Sequence, residues 1–275
     1  MYFISIGDMG NGSKVQYGVA KLMKYLCDTY NVKFISGLGD NIYESGCKNV
    51  KDKGFQDKFE KPYSILSNTI RWYMLLGNHD YGYDYGNSKA LLDNSIHQIL
   101  YTKYSKKWYM PSKYYSFTRG PMEFFYLDTN FDILSAHDID TQLQIMKQKL
   151  DTSKKRWKIV CGHHTWRSIA EHGNAEKKLE DFLTSLFKHT KPHLYMCGHD
   201  HCKSIMKKKG ITLVISGNGG EEYDGPNVNL QNCHDCSLKY FSPSPGVALV
   251  NANKKTLTID FYNKDKLKEY SYKLR

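Results

Sequence analysis

The stretch Gly39-Asp40-Asn41-Ile42-Tyr43 follows an apolar run, residues 34–38, that predicts a buried β-strand. An aspartate at the end of such a strand can bridge two cations, because each of its two oxygens can face one metal. A tyrosine three residues further on can reach back to one of those cations as a phenolate. The stretch therefore predicts that Asp40 and Tyr43 belong to a metal site at the carboxyl edge of a sheet.

Four further stretches repeat this arrangement, each with an oxygen or imidazole donor just after a glycine that follows an apolar run. They are Gly7-Asp8, Gly77-Asn78-His79-Asp80, Gly162-His163 and Gly198-His199-Asp200-His201. We expect site one to bind a cation through Asp8, Asp40, Tyr43 and His201. We expect site two to use Asp40, Asn78, His163 and His199. Two metals that share a carboxylate lie roughly 3.5–4 Å apart, a spacing that clamps a phosphoryl group during in-line displacement.

The order of predicted elements indicates an α/β protein in which two β-sheets pack together with helices outside. A strand at 2–7, a helix capped by Ser13 and a strand at 33–38 predict a parallel crossover. Less regular stretches predict helices around 55–67 and near 88–103, a substrate-bordering loop at 81–87 and a long loop at 216–246. The chain has no internal repeat and no linker, which predicts one domain over residues 1–275.

The composition limits the classes of function. The chain has 275 residues and a formal net charge of +11. We interpret the excess as lysine on the solvated surface, as in runs 206–209 and 264–268, which makes nucleic acid a less favoured partner. No apolar run approaches the ~18 residues of a membrane span. Residues 1–6 enter the first strand without the pattern of a signal peptide, so an intracellular location is favoured.

The seven cysteines include one closely spaced pair, in Cys233-His234-Asp235-Cys236. This stretch has the spacing of half a zinc site, but the chain has no second such pair. A loop disulfide or two free thiols is therefore the favoured interpretation. The odd number of cysteines, together with the lack of a signal peptide, favours a reducing compartment.

The five stretches, in this order, resemble the purple acid phosphatases, which belong to the calcineurin-like metallophosphoesterases. The wider group usually has a metal-binding histidine where this chain has Gly10, and Tyr43 supplies the donor instead, as in the purple enzymes. The resemblance implies a sandwich of two mixed sheets in α/β/β/α layers. It also implies Fe(III) in site one and Fe(II), Zn or Mn in site two.

Other segments are similar to the small, mammalian-type, tartrate-resistant members. They are Tyr104-Ser105-Lys106-Lys107-Trp108, Leu127-Asp128-Thr129 and Ser168-Ile169-Ala170-Glu171-His172-Gly173. The segment after Thr129 looks shorter than in those enzymes, where it carries an inhibitory loop. His164 replaces a different residue of that group, and its role is open.

The resemblance implies an acid phosphatase that hydrolyses phosphate monoesters by in-line attack of a metal-bound hydroxide. His79 and His172 are expected to bind substrate and protonate the leaving group, with Glu171 orienting His172; this favours acidic conditions. The expected substrates are small phosphorylated molecules, including phosphoproteins or nucleotides, and a monomer is expected. One alternative is a phosphodiesterase or nuclease with the same two metals, and another is a non-catalytic metal-binding protein.

Overall fold

The computed structural model describes residues 1–84, 89–90, 93–221 and 228–275, whose strands form two large β-sheets and one short ribbon. The strands are β1 (Tyr2–Ile6), β2 (Val32–Gly37), β3 (Arg71–Met74), β4 (Tyr83–Asp84), β5 (Lys89–Ala90), β6 (Trp108–Tyr109), β7 (Tyr115–Arg119), β8 (Met122–Tyr126), β9 (Trp157–Cys161), β10 (Leu194–Cys197), β11 (Lys203–Lys208), β12 (Ile211–Ser216), β13 (Ser237–Ser242), β14 (Gly246–Ala252), β15 (Leu257–Asn263) and β16 (Lys268–Leu274). The α-helices are α1 (Lys14–Thr29), α2 (Lys53–Phe55), α3 (Ser95–Tyr101), α4 (Ala136–Thr152) and α5 (Lys177–Leu186).

Both large sheets are mixed, as predicted. Sheet one has the order β16-β15-β14-β1-β2-β3-β6. Strands β1, β2, β3 and β6 are parallel to one another, whereas β14 pairs antiparallel with β1, and β15 and β16 continue the sheet as antiparallel neighbours. Sheet two has the order β13-β11-β12-β10-β9-β8-β7, in which β8, β9, β10 and β12 are parallel. The carboxyl ends of the parallel strands in each sheet therefore meet at one edge.

The alternation of side chains along each strand divides the core into layers. Phe3 of β1 points between the sheets, where its ring centroid lies 5.3 Å from that of Phe124 in β8. Ile4, the next residue, points the other way and packs in the cluster that holds the apolar face of α1. On the far side, α4 and α5 cover sheet two. These contacts confirm the predicted α/β/β/α order.

The first helix forms where its sequence predicts it. Ser13 Oγ accepts a hydrogen bond from the Gln16 N–H at 3.1 Å, which satisfies one of the unpaired amides of the first turn. The buried face of α1 carries Val19, Leu22 and Leu26, at the spacing of an amphipathic helix. Within the described ranges, no helix is long and apolar enough to cross a bilayer.

Several predicted boundaries were wrong. The helix expected around 55–67 comprises α2 and a π-helical turn over Gln56–Glu60, and it ends before residue 67. The helix expected near 88–103 is α3, which begins only at Ser95; residues 85–88 and 91–92 lie outside the description, as does part of the loop expected at 81–87. The loop expected over 216–246 contains β13, a half-exposed edge strand whose mixture of polar and apolar residues gives no clear strand pattern. Residues 222–227 of that loop lie outside the description.

The lysine run at 206–209 is not simply solvated surface. Lys208 is 1% exposed because its ammonium group pairs with Asp235, inside the Cys233–Cys236 loop. These two cysteines form a disulfide, one of the two forms favoured for this stretch. A lysine-rich strand, β11, thus runs through the interior of sheet two where the sequence indicates a surface segment.

Candidate metal centre and active site

Oxygen donors follow the carboxyl ends of three neighbouring strands of sheet one. Asp8 follows β1, Asp40 follows β2 and Asn78 follows β3. Because these strands are parallel and adjacent, the three side chains lie at the same edge of the sheet. Asp8 and Asp40 are 1% and 2% exposed, so two carboxylates are buried side by side.

Imidazoles follow the carboxyl ends of two neighbouring strands of sheet two. His163 follows β9, whereas His199 and His201 follow β10. The backbone N–H of His199 donates to Asp8 Oδ2 at 2.9 Å, which joins the edge of sheet two to the edge of sheet one. The two sheet edges therefore face a common point.

Three of the four side chains predicted for site one contact one another. The Tyr43 hydroxyl lies 3.1 Å from His201 Nε2 and donates to Asp8 Oδ1 at 3.4 Å. His201 Nε2 lies 3.7 Å from the same carboxylate oxygen. The fourth, Asp40, lies in a group with Asp8 and His163 whose donor atoms are all within 4.8 Å of one another.

The side chains predicted for site two also converge. His163 Nε2 lies 3.0 Å from Asn78 Oδ1 and 3.4 Å from Asp40 Oδ2. The His199 ring completes this side, with its centroid 5.0 Å from that of His163. The structure thus brings the seven predicted ligand residues into one cluster that includes Asp40.

The outer nitrogens of two imidazoles are held in the way that suits metal binding. His163 Nδ1 lies 2.8 Å from the Leu38 carbonyl oxygen, which only accepts, so Nδ1 carries a proton and Nε2 faces the site. His201 Nδ1 lies 3.5 Å from Glu221 Oε2. A carbonyl or carboxylate on the outer nitrogen is the usual support of a metal-binding histidine. Carboxylate, phenol, amide and imidazole donors fit iron, zinc or manganese.

The buried carboxylates of the site also favour a positive charge beside them. Burial raises the pKa of Asp8 well above its usual value. Burial also acts to raise the pKa of Asp40, but His163 outweighs it and holds that pKa below the usual range. Burial alone would lower the pKa of His163; Asp40 and Asp8 reverse this and raise it to about 10. These directions show that two buried carboxylates favour positive charge at this point, which bound cations would supply.

The glycines before the donor residues allow neighbouring loops of the site to approach each other closely. A Cβ atom at Gly77 would lie 2.1 Å from Asp40 Oδ1, and one at Gly198 would lie 2.3 Å from Asp8 Oδ2. The donors themselves adopt the left-handed region, with φ of 55° at Asp8, 49° at Asp40 and 69° at His199. Non-glycine residues rarely adopt this conformation, and its recurrence here is typical of a functional site.

A cleft of about 820 Å³ opens beside site two and has the size of a ligand pocket. Asn78, His164, His172 and His199 line it. The His172 ring stacks on the His199 ring with centroids 4.2 Å apart, and its backbone N–H donates to Asp200 Oδ1 at 2.8 Å. The predicted orientation of His172 by Glu171 stays a prediction.

His79 lies beside site one rather than next to His172. Its ring centroid is 4.4 Å from that of Tyr43, and Nε2 is 3.9 Å from Asp40 Oδ2. Its Nδ1 lies 2.7 Å from the Glu44 carbonyl oxygen. The two histidines predicted to contact substrate thus approach the donor cluster from different sides.

Comparisons with known proteins identify the family. A model of the calcineurin-like phosphoesterases matches residues 1–203. Purple acid phosphatase 17 of Arabidopsis thaliana is 30% identical over 282 residues, which cover 95% of this chain and 80% of that protein. Tartrate-resistant acid phosphatase type 5 of Sus scrofa is 32% identical over 245 residues, which cover 79% of this chain and 69% of that protein.

The chain belongs to the calcineurin-like phosphoesterases. Its relatives within that family are purple acid phosphatases, so this phosphoesterase is an enzyme that hydrolyses phosphate esters. Its fold also matches the solved structure of GAP50, "the anchor in the inner membrane complex of Plasmodium", with a TM-score of 0.78 over 100% of this chain and 88% of the other. At 21% identity, that likeness concerns the fold alone.

Sequence reasoning missed the part that Asp80 plays in this phosphoesterase. Asp80 is buried and accepts hydrogen bonds from the backbone of Asn41, Ile42 and Gly77 and from the side chains of Asn41 and Gln98. Burial, and then the charge of Asp40, raises its pKa to about 6. Asp80 therefore joins the loop of Asp40 to the loop of Asn78. The stretch Gly77-Asn78-His79-Asp80 contains it, but only three-dimensional contacts reveal the role.

Two further residues near the site were not assigned from sequence. Glu221, which supports His201, follows Gly220 in a region expected to be an irregular loop, and no local pattern marks it. His164 was noted only as a departure from the family pattern. Burial, and then the charge of His163, lowers the pKa of His164 to about 3, so its ring is neutral.

Proposed function

We propose that this phosphoesterase is a binuclear acid phosphatase that hydrolyses phosphate monoesters. The observation that carries the proposal is the convergence of two overlapping donor sets around one shared carboxylate, Asp40. Monoesters are favoured because the relatives that match most of the chain are named acid phosphatases. The substrates we propose are phosphomonoesters, such as small phosphorylated metabolites, nucleotides or phosphoproteins.

The first cation would be held by Asp8, Asp40, Tyr43 and His201, and the second by Asp40, Asn78, His163 and His199. We assign Fe(III) to the phenolate side and Fe(II), Zn or Mn to the other, since carboxylate and amide oxygens are combined with imidazoles there. When bound, the two cations supply Lewis acidity and an activated water for in-line attack on phosphorus. The remaining chemistry falls to the side chains of the cleft.

His79 can act as an acid only when it is doubly protonated. Its Nδ1 faces the Glu44 carbonyl oxygen, which only accepts, so the proton of the neutral ring is used there. We assign the proton donated to the leaving group to Nε2, which lies on the side of the ring that faces Asp40. His172, at the exposed mouth of the cleft, is the second proton donor. Both roles favour acidic conditions, in which imidazoles carry two protons.

The test is a double variant, His79→Ala with His172→Ala, assayed on an aryl phosphate monoester after metal loading. We expect both metals to stay bound and kcat to fall by roughly 10²–10⁴-fold, the range for general acid–base catalysis. His137→Gln, an exposed histidine of α4, is the matched control. Unchanged turnover in the double variant would reject both roles.

The alternative of a phosphodiesterase is motivated by the net charge of +11, which would attract a polyanion. Assays of a monoester and a diester in parallel separate the two functions, since activity confined to the diester would favour the alternative. The non-catalytic alternative is not favoured, because the chain belongs to the phosphoesterases and its relatives are named acid phosphatases.

The chain is further proposed to act as a monomer and as one domain over residues 1–275. Light scattering on the metal-loaded protein checks the first statement, and a single cooperative unfolding transition checks the second. Two separate transitions would instead divide the chain into independently folding units.

A further inference from the structure

His164 occupies a place on the cleft wall that no role described so far explains. It directly follows His163, and its ring lies beside the His199 ring, with centroids 4.6 Å apart. Its Nδ1 lies 2.8 Å from the Thr129 hydroxyl oxygen. Which of these two atoms donates the hydrogen decides what the other ring nitrogen, Nε2, offers to the cleft.

The hydrogen bonds of Thr129 fix that choice. Its Oγ1 accepts from the backbone N–H of His163 at 3.2 Å and from the backbone N–H of His164 at 3.1 Å. A hydroxyl has two lone pairs and one hydrogen, so its hydrogen is left for His164 Nδ1. Thr129 is 2% exposed, which keeps its hydroxyl from turning to solvent. His164 Nδ1 is therefore an acceptor, and the ring carries its proton on Nε2.

The Nε2–H group of His164 is available to a ligand. Nδ1 is committed to Thr129, the ring is partly exposed, and it lines the cleft. Among the hydrogen bonds of the described residues, the His164 ring makes its bond through Nδ1 and none through Nε2. A neutral N–H donor thus lies beside the His199 ring, at the side of site two.

We propose that His164 is a substrate-binding residue whose Nε2–H donates a hydrogen bond to a non-bridging oxygen of the phosphoryl group. This role rests on the proposed function. It differs from the role of His172, the proposed proton donor, whose ring stacks on the His199 ring with centroids 4.2 Å apart. A neutral imidazole is a very weak acid, so His164 holds an oxygen without giving up its proton.

The test measures how inorganic phosphate binds to the metal-loaded protein, because phosphate has the non-bridging oxygens but no leaving group. His164→Phe keeps the ring volume and removes the donor. We expect phosphate to bind about 10- to 100-fold more weakly, the fold-change of one hydrogen bond to a charged oxygen. His164→Gln places an N–H near the position of Nε2 and should restore part of the affinity. The metal content should be unchanged in both variants.

Three results would contradict the role of His164. Unchanged phosphate affinity in His164→Phe would show that the ring does not contact the phosphoryl group, and loss of a metal would make it a ligand. The pH profile of kcat gives a further readout, since removing a neutral donor should leave both limbs in place. A shifted acidic limb would contradict a neutral donor. Calorimetry of phosphate binding needs no turnover, so the test holds even if the wild-type protein fails the monoesterase assay.

Discussion

The edge of sheet one and the edge of sheet two contribute different atoms to the same site. Sheet one supplies oxygens, from Asp8, Asp40 and Asn78, whereas sheet two supplies the imidazoles that follow β9 and β10. The two carboxylates are almost fully buried, but His201 has a side chain that is 20% exposed. We infer that the two edges have different roles. The carboxylates of sheet one neutralise the charge of the cations, and the imidazoles of sheet two determine the direction from which a phosphate ester approaches them.

The two edges are also supported differently. The loops of sheet one are joined by Asp80, a buried carboxylate with hydrogen bonds from both loops. On the sheet-two side, His201 is supported from outside by Glu221, and the segment before His172 contacts the disulfide loop through Arg167 and Asp235. We therefore expect substitutions on sheet one to abolish metal binding, and substitutions on the sheet-two side to weaken it or to alter turnover.

The largest effect is expected for Asp40→Asn, at the junction of the two donor sets. An amide cannot offer two anionic oxygens, so both cations should be lost. Because the charge stabilisation supplied by a metal is worth several kcal/mol, kcat/KM should fall by roughly 1,000-fold or more. Metal analysis and assays on the purified protein check this. Asp28→Asn, which removes only an exposed pair with Lys24, is the control; two metals per chain in Asp40→Asn would contradict the shared-ligand arrangement.

Much of this arrangement follows from the sequence, because each donor immediately follows a glycine and an apolar run. The strand fixes where the donor emerges, and the parallel order of β1, β2 and β3 brings three emerging donors together. For these donors, the local sequence pattern is sufficient to predict their position. The same holds for α1, whose cap and apolar face lie within one continuous segment.

Other features depend on contacts between residues far apart in the chain. Lys208 looks solvated in its lysine run, yet it is buried because Asp235, distant in sequence, supplies its counter-charge. Asp80 belongs to a stretch that carries a predicted ligand, Asn78, but nothing in that stretch shows that Asp80 accepts hydrogen bonds from the loop after Asp40. Glu221 has no local signal at all, since only the fold places it beside His201. Such roles need three-dimensional contacts, which periodicity and motifs do not contain.

An intermediate effect is expected for Glu221→Gln, which tests how much the support of His201 contributes to metal binding. The carboxylate lies 3.5 Å from His201 Nδ1, and loss of such outer support usually costs about 10- to 100-fold in metal affinity or activity. Metal titration of the variant should show site one weakened in that range and site two unchanged. Glu123→Gln, remote from the site in β8, is the control. Equal weakening of both sites would argue against a separate role for the His201 side.

The smallest effect is expected for Asp235→Asn, in the disulfide loop that supports the segment before His172. Asp235 accepts from Arg167 Nε at 2.8 Å and from Nη2 at 2.9 Å, and Arg167 belongs to that segment. The hydrogen bonds from Arg167 hold the pKa of Asp235 below its usual range. Its stabilising contribution is therefore complete above the unfolded pKa of about 3.9 and is lost as pH falls through the lower folded value.

The side chain of Asp235 is 33% exposed, so solvent screening reduces the effect of Asp235→Asn, and Glu180 Oε1, 3.7 Å from the Lys208 ammonium group, still pairs with that buried charge. We therefore expect a loss of about 1–2 kcal/mol in the free energy of unfolding near neutral pH. Denaturant unfolding at pH 7 and at pH 3 measures it, and the difference between variant and wild type should shrink at the lower pH. Asp181→Asn, in an exposed pair with Lys177, should be near neutral at both pH values. A difference that grew on acidification would mean that Asp235 does not act through Arg167. Arg167 lies five positions before His172, so kcat of the variant should fall only a few-fold and both metals should remain bound. This result would distinguish a residue that supports the cleft from the residues of sheet one that bind the metals.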